Sequence, residues 1–172
     1  MCGIFGIIGS HSNLKKDITS LARFASRRGK DSSGILVNNS AYSILTANYD
    51  IRKLIKKINF KNTNMILGIG RLITNGNDDC QPYKKKNIIV FHNGIVINDD
   101  ELFTEEEISR IDKIDTEIIA ALAEKFLDRN NLKNTINTIL SKCKGMISSA
   151  ICFTELGKLV LFTNNGSLYY AE

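Results

Sequence analysis

The sequence has no apolar run near the ~18 residues that a membrane-spanning helix needs. Its start, Met1-Cys2-Gly3-Ile4-Phe5, lacks the basic opening and small-residue cleavage site of a secretory signal. There is one proline, Pro82, with no Gly/Ser-rich linker and no internal repeat, so nothing marks a domain boundary. Only two histidines occur, His11 and His92, and the four cysteines (Cys2, Cys80, Cys143, Cys152) form no CxxC pair, which argues against a zinc site. These absences predict one cytoplasmic domain over residues 1–172, with reduced cysteines, no metal and no cofactor.

What is present suits a globular chain: 43% hydrophobic and 24% charged residues over 172 positions. A chain of that size buries roughly two-thirds of its unfolded surface without staples. The net charge of +5 is uneven, at +7 over residues 1–60, +3 over 61–98 and −5 over 99–172. A basic first third suits nucleic acid. No aromatic-interleaved basic strip, helix-turn-helix signature or ribonucleoprotein motif accompanies it, and Lys and Asn are abundant throughout. No nucleic-acid or membrane partner is expected.

Periodicity sets out the elements. Cys2 to Gly9 reads as a buried strand, and Leu14, Ile18, Leu21, Ala22 and Ala25 recur at helical spacing behind a candidate cap, Asn13. Residues 35–37 and 42–45 predict a hairpin around Asn38-Asn39, and Asp50 opens a short helix with a basic outer face. Strands follow at 65–70, 87–92 and 95–97. Thr104 with Glu107 predicts a capping box, Asp115 precedes a stronger helix, and another helix carries Leu132, Ile136, Ile139 and Leu140. The end is β again, at 146–153, 158–163 and 167–170. The fold class is α+β, with helices packed on antiparallel sheets.

Chemistry starts at Cys2. If Met1 is removed, Cys2 carries both a thiol and an α-amine whose pKa lies near ~8, so one residue supplies nucleophile and base without a partner histidine. Position alone better suits a small buried hydrophobe. Arg28-Gly29-Lys30-Asp31-Ser32-Ser33-Gly34 is a polar loop bracketed by glycines, or simply a surface turn. Arg71, at the end of an apolar strand, has the fork geometry that holds a carboxylate, or it is a solvated strand end. In Phe91-His92-Asn93-Gly94, an Asn amide beside a glycine N–H can form an oxyanion hole, although Asn-Gly is also the favoured hairpin turn. Asp115-Thr116-Glu117 has the plain reading of a helix cap.

Taken in order, MCGIFG, RRGKDSSG, GRLITNG, QPY, HNGIVIND and DTEII resemble the glutaminase domain of class II glutamine amidotransferases, which are N-terminal-nucleophile hydrolases. Members include glucosamine-6-phosphate synthase, amidophosphoribosyltransferase and asparagine synthetase. The resemblance implies a four-layer αββα sandwich of two antiparallel sheets between helices. It implies hydrolysis of L-glutamine to L-glutamate and ammonia through a γ-glutamyl thioester on Cys2. Asn93 and the Gly94 N–H become the oxyanion hole, Arg71 the holder of the α-carboxylate and Asp115 that of the α-ammonium. Thr74 and Asn75 line the same pocket, with Arg28 and Asp31 as scaffold beside the nucleophile. No cofactor is implied; the implied partner is an ammonia-accepting synthetase domain or subunit, for which this chain has no residues.

The segment around Arg71 departs from the synthase pattern, with Ile69, Gly70, Leu72 and Asn75 in place of its His, Thr, Trp and second His. Leu72 leans to asparagine synthetases, while the Asn-Gly-Ile after His92 leans to the synthase. Two other functions stay open: an N-terminal-Cys hydrolase of other amides, and a degenerate domain that binds without turnover. Arg71 with Asp115 argues against the first, since an acyl chain offers no zwitterion to hold.

Overall fold

The computed structural model describes residues 2–10, 12–73, 81–166 and 168–171. They fall into two compact units, Met1–Pro82 and Tyr83–Glu172, each built on a four-stranded antiparallel sheet. None of the helices among the described residues is long and apolar enough to cross a membrane.

The first unit runs β1 (Gly3–Ile8), α1 (Leu14–Ser26), β2 (Ser32–Asn38), β3 (Tyr42–Ala47), α2 (Ile51–Leu54) and β4 (Met65–Arg71), with strand order β1-β4-β2-β3. Ile18, Ala22 and Ala25 stack on one side of α1 at helical spacing and bury against Ile35 and Val37 of β2 and Ile66 of β4. Strand alternation then sends Leu36, Leu67 and Ile69 to the face turned away from the helices. A Cβ on Gly3 would sit 2.7 Å from the Ala25 Cα, so the missing side chain lets β1 close on α1.

One buried carboxylate ties this unit together. Asp50 Oδ1 caps α2 by accepting the Arg52 N–H at 2.9 Å, and Oδ2 accepts from the Ser26 hydroxyl at 2.8 Å, joining α2 to the end of α1. Burial alone would raise the Asp50 pKa; the bonds from Arg52 and Ser26 outweigh it and hold it at about 2.

The second unit runs β5 (Tyr83–Lys85), β6 (Ile88–Val96), α3 (Asp99–Glu105), α4 (Thr116–Lys125), α5 (Leu132–Lys142), β7 (Gly145–Phe153) and β8 (Lys158–Thr163), in the order β5-β6-β7-β8. Ile88, Val90 and Val96 of β6 join Ile147, Ile151 and Phe153 of β7 in a core with Ile118, Ile119 and Leu122 of α4. Intervening positions of β6 and β7, Phe91, Asn93, Ser148 and Ala150 among them, belong to the opposite face of the sheet.

Four sequence expectations need correcting. Residues 87–92 and 95–97 are one continuous strand, because nine residues of β6 pair with β7 straight through Asn93-Gly94. Helix α3 starts at Asp99, so Thr104 lies near its end and no capping box forms there. The edge strand β5 went unread, being three residues long and mostly lysine and tyrosine. The expected strand at 167–170 is absent from residues 168–170, while Ser167 lies outside the described residues.

Candidate active site

The first unit gathers the residues expected around a thiol nucleophile. β1 and β4 are in register with Gly3 opposite Gly70, and β2 pairs Ser32 with Arg71. Extending the first register by one residue sets Cys2 opposite Arg71. The row Cys2–Arg71–Ser32 therefore crosses three strands on the face turned away from α1. All three are buried, Arg71 at 5% exposure. A cation so deep in the sheet face is not the solvated strand end that its sequence position also allows.

One glycine and two polar side chains hold this row. Arg28 donates from Nε to the Cys2 carbonyl oxygen at 2.8 Å, fixing the chain just before β1. A Cβ on Gly29 would fall 2.1 Å from the Arg71 carbonyl carbon, so only glycine lets the 28–31 loop lie along the end of β4. Asp31 accepts the Ile73 N–H at 2.9 Å through Oδ2, and its own N–H donates to the Arg71 carbonyl at 2.9 Å. Arg28 and Asp31 thus contact the segments carrying Cys2 and Arg71. Thr74 and Asn75 lie outside the described residues.

In the second unit, Asn93 and Gly94 are in the middle of a strand and not in a turn. A Cβ on Gly94 would meet the Met146 carbonyl oxygen at 1.8 Å, so the paired strand β7 lies against β6 at a spot where only glycine fits. Asp115 stands at the start of α4 but makes no side-chain cap to that helix. Its Oδ2 accepts the Val96 N–H at 3.0 Å, on the outer edge of β6 beyond the last residue paired with β5. The Asp115 side chain is 25% exposed.

Glu117, fully buried, steadies the loop before Asp115. Its two oxygens accept the Ile111 N–H at 2.9 Å and the Asp112 N–H at 2.6 Å. Burial, with the Glu117 and Asp112 carboxylates alongside, pushes the Tyr83 hydroxyl far above its usual range. Burial and the nearby Asp115 likewise push the Cys143 thiol up to about 12, leaving it unreactive at neutral pH.

Sequence reasoning missed three polar neighbours. His92 Nδ1 lies 3.0 Å from Ser149 Oγ and its Nε2 lies 3.7 Å from Asp115 Oδ2. Ser148, the residue opposite Asn93, contacts Thr163 and Asn165. The available signal was Ser148-Ser149 inside an otherwise apolar strand. Among the described residues no group of three or more His, Cys, Asp or Glu could hold a metal ion.

Residues 70–172 match the family model of a glutamine amidotransferase domain. The chain is 31% identical, over 98% of its length, to the isomerizing glutamine–fructose-6-phosphate aminotransferase of Thermococcus kodakarensis, and covers 30% of that protein. It is 31% identical, over 88% of its length, to 7-cyano-7-deazaguanine synthase of Saccharolobus solfataricus, covering 36% of it. In structure it resembles the glutamine phosphoribosylpyrophosphate amidotransferase of B. subtilis, with a TM-score of 0.75 at 21% identity over 95% of this chain and 37% of that one. The chain thus spans about a third of the length of these relatives.

Proposed function

The chain belongs to the class II glutamine amidotransferases, and on that premise we propose that it hydrolyses the side-chain amide of L-glutamine with Cys2 as nucleophile. The observation that carries this reading is the buried row Cys2–Arg71–Ser32, which sets a carboxylate-binding cation next to the thiol residue. The freed α-amine takes the thiol proton as sulfur attacks the amide carbon. The Asn93 amide and the Gly94 N–H receive the negative charge on the carbonyl oxygen. Collapse breaks the C–N bond as the ammonium returns its proton to the departing amide nitrogen, which leaves as ammonia. Water then hydrolyses the thioester, releasing glutamate. Arg71 and Asp115 grip the α-carboxylate and the α-ammonium.

Ammonia passes to an acceptor on another domain or subunit, in a cytoplasmic setting. Three relatives support this partner: each continues well past the matched region, and their names point to different acceptor chemistries. A domain common to all three does not select the acceptor. The test is glutamate release from glutamine by chain whose intact mass shows Met1 removed, alongside reaction with an electrophilic glutamine analogue. Glutamate release with a thioether on Cys2 supports the proposal. Labelling without turnover marks a degenerate domain, and neither result leaves the reading without support.

A further inference from the structure

The face of the second sheet that carries Asn93 is apolar over most of its described positions: Ile89, Phe91 and Ile95 on β6, Met146, Ala150 and Cys152 on β7, Leu159 and Leu161 on β8. One cross-strand row interrupts it. Asn93 pairs with Ser148, and Ser148 pairs with Thr163, so the three side chains stand side by side. Ser148 is 5% exposed, and a buried hydroxyl is costly unless its bonds are made.

The direction of the protons in this row is fixed from its far end. The Asn165 backbone N–H donates to Thr163 Oγ1 at 3.2 Å, and the Thr163 hydroxyl donates to Asn165 Oδ1 at 2.8 Å. The Ser148 hydroxyl donates to the same Asn165 oxygen at 2.9 Å and lies 2.9 Å from Thr163 Oγ1. A serine has one proton, and here it points toward β8. Toward β6, Ser148 Oγ therefore offers only lone pairs. Of the two ends of an asparagine amide, only the NH₂ end can meet an acceptor.

From this polarity we infer that Ser148 is a positioning residue for Asn93. It accepts one N–H of the Asn93 side-chain amide and so turns the second N–H, and not the amide oxygen, toward the reacting carbonyl. The inference rests on the reading of Asn93 as an oxyanion donor. An amide turned the other way would present an oxygen to a developing negative charge, so the orientation matters as much as the residue.

The experiment uses full-length protein with Met1 removed and two readouts. The first is the Asn93 side-chain amide resonance in a ¹⁵N spectrum, identified by its loss in Asn93→Ala. The second is steady-state glutaminase kinetics. Ser148→Ala should shift that resonance and speed its proton exchange. It should lower kcat by about 3- to 30-fold, less than the roughly 10²–10³ expected for deleting the donor itself, and leave KM within about twofold. Ser148→Thr, which keeps the hydroxyl, should restore both signals, and Ser148→Ala should add no further loss in the Asn93→Ala background. An unmoved Asn93 resonance overturns the inference. So does a rise in KM with kcat intact, which would make Ser148 a substrate contact, or an equal loss in both backgrounds. If unsubstituted protein fails to release glutamate, the glutaminase reading falls, and the resonance alone still decides the role of Ser148.

Discussion

Asp115 accepts the Val96 N–H at 3.0 Å through a carboxylate oxygen and makes no side-chain cap to the helix it precedes. A residue with every local mark of a helix cap is thereby attached to the neighbouring strand. Its side chain remains 25% exposed.

That arrangement separates two roles by kinetics. On the proposed roles of Arg71 and Asp115, Arg71→Ala and Asp115→Ala remove contacts to charges that glutamine carries equally in ground and transition states, so each should mainly raise KM. The loss is about 2–4 kcal/mol when a charged partner is left unpaired in a partly buried site. Asp115→Asn keeps an acceptor for the Val96 N–H and should fold as the parent does while still binding glutamine weakly. Asn93→Ala should instead lower kcat by roughly 10²–10³ at similar KM. Kinetics on variants checked by circular dichroism decide the matter; the reverse pattern would mean the roles are assigned wrongly.

Cys2→Ala and Cys2→Ser should both reduce glutamine hydrolysis to background, since a serine hydroxyl is a far poorer nucleophile at neutral pH. Cys143→Ala and Cys152→Ala should stay active if folded. Peptide mass mapping after treatment with an electrophilic glutamine analogue should find label on Cys2 and none on Cys143, whose thiol is pushed up to about 12. Label on Cys143 would contradict that assignment.

Much of the fold is legible because its signals are local and agree with its packing. Helix α1 begins and ends where the spacing of Ile18, Ala22 and Ala25 indicates, and Asp50 caps α2 as expected. Asn93-Gly94 misleads because the dipeptide favours a hairpin turn. Nine residue pairs with β7 override that preference, and the glycine serves a close approach of the paired strand. The candidate site is legible as a set of residue types and not as a set of faces. That Arg71 is buried beside Cys2, or that Ser148 adjoins Asn93, depends on cross-strand register, which no single segment encodes.

Glycine substitutions test the close approaches. Gly94→Ala drives a methyl into the Met146 carbonyl and Gly34→Ala into that of Gln81, with Cβ positions 1.8 and 1.9 Å from the oxygens. Each should cost about 1–3 kcal/mol or more in urea unfolding. Gly157→Ala and Gly166→Ala meet nothing within 4 Å and pay only for their positive φ of 59° and 77°, roughly 1–2 kcal/mol. Equal losses at all four positions would show that crowding is not the cause at Gly94 and Gly34.

Acid should weaken the first unit through Asp50. Its folded pKa of about 2 lies below the roughly 3.9 of an unfolded aspartate, so the carboxylate stabilises the fold above about pH 4. That contribution is lost as pH falls from about 4 to about 2. Asp50→Asn should lower the urea midpoint at pH 7, and the gap to the parent should narrow through that window. A gap that stays constant down to pH 2 would remove Asp50 as the source.

The pairing of Gly3 with Gly70, with Arg28 clamping the carbonyl just before it, makes the sheet a ruler for the first residues of the chain. Strand side chains alternate faces, so one residue inserted between Cys2 and Gly3 turns the thiol to the wrong side of the ribbon. Two inserted residues return it to the right side but carry it about 7 Å past Arg71. The length of this leading segment is therefore itself a specification, one that an insertion can violate without altering any residue already present.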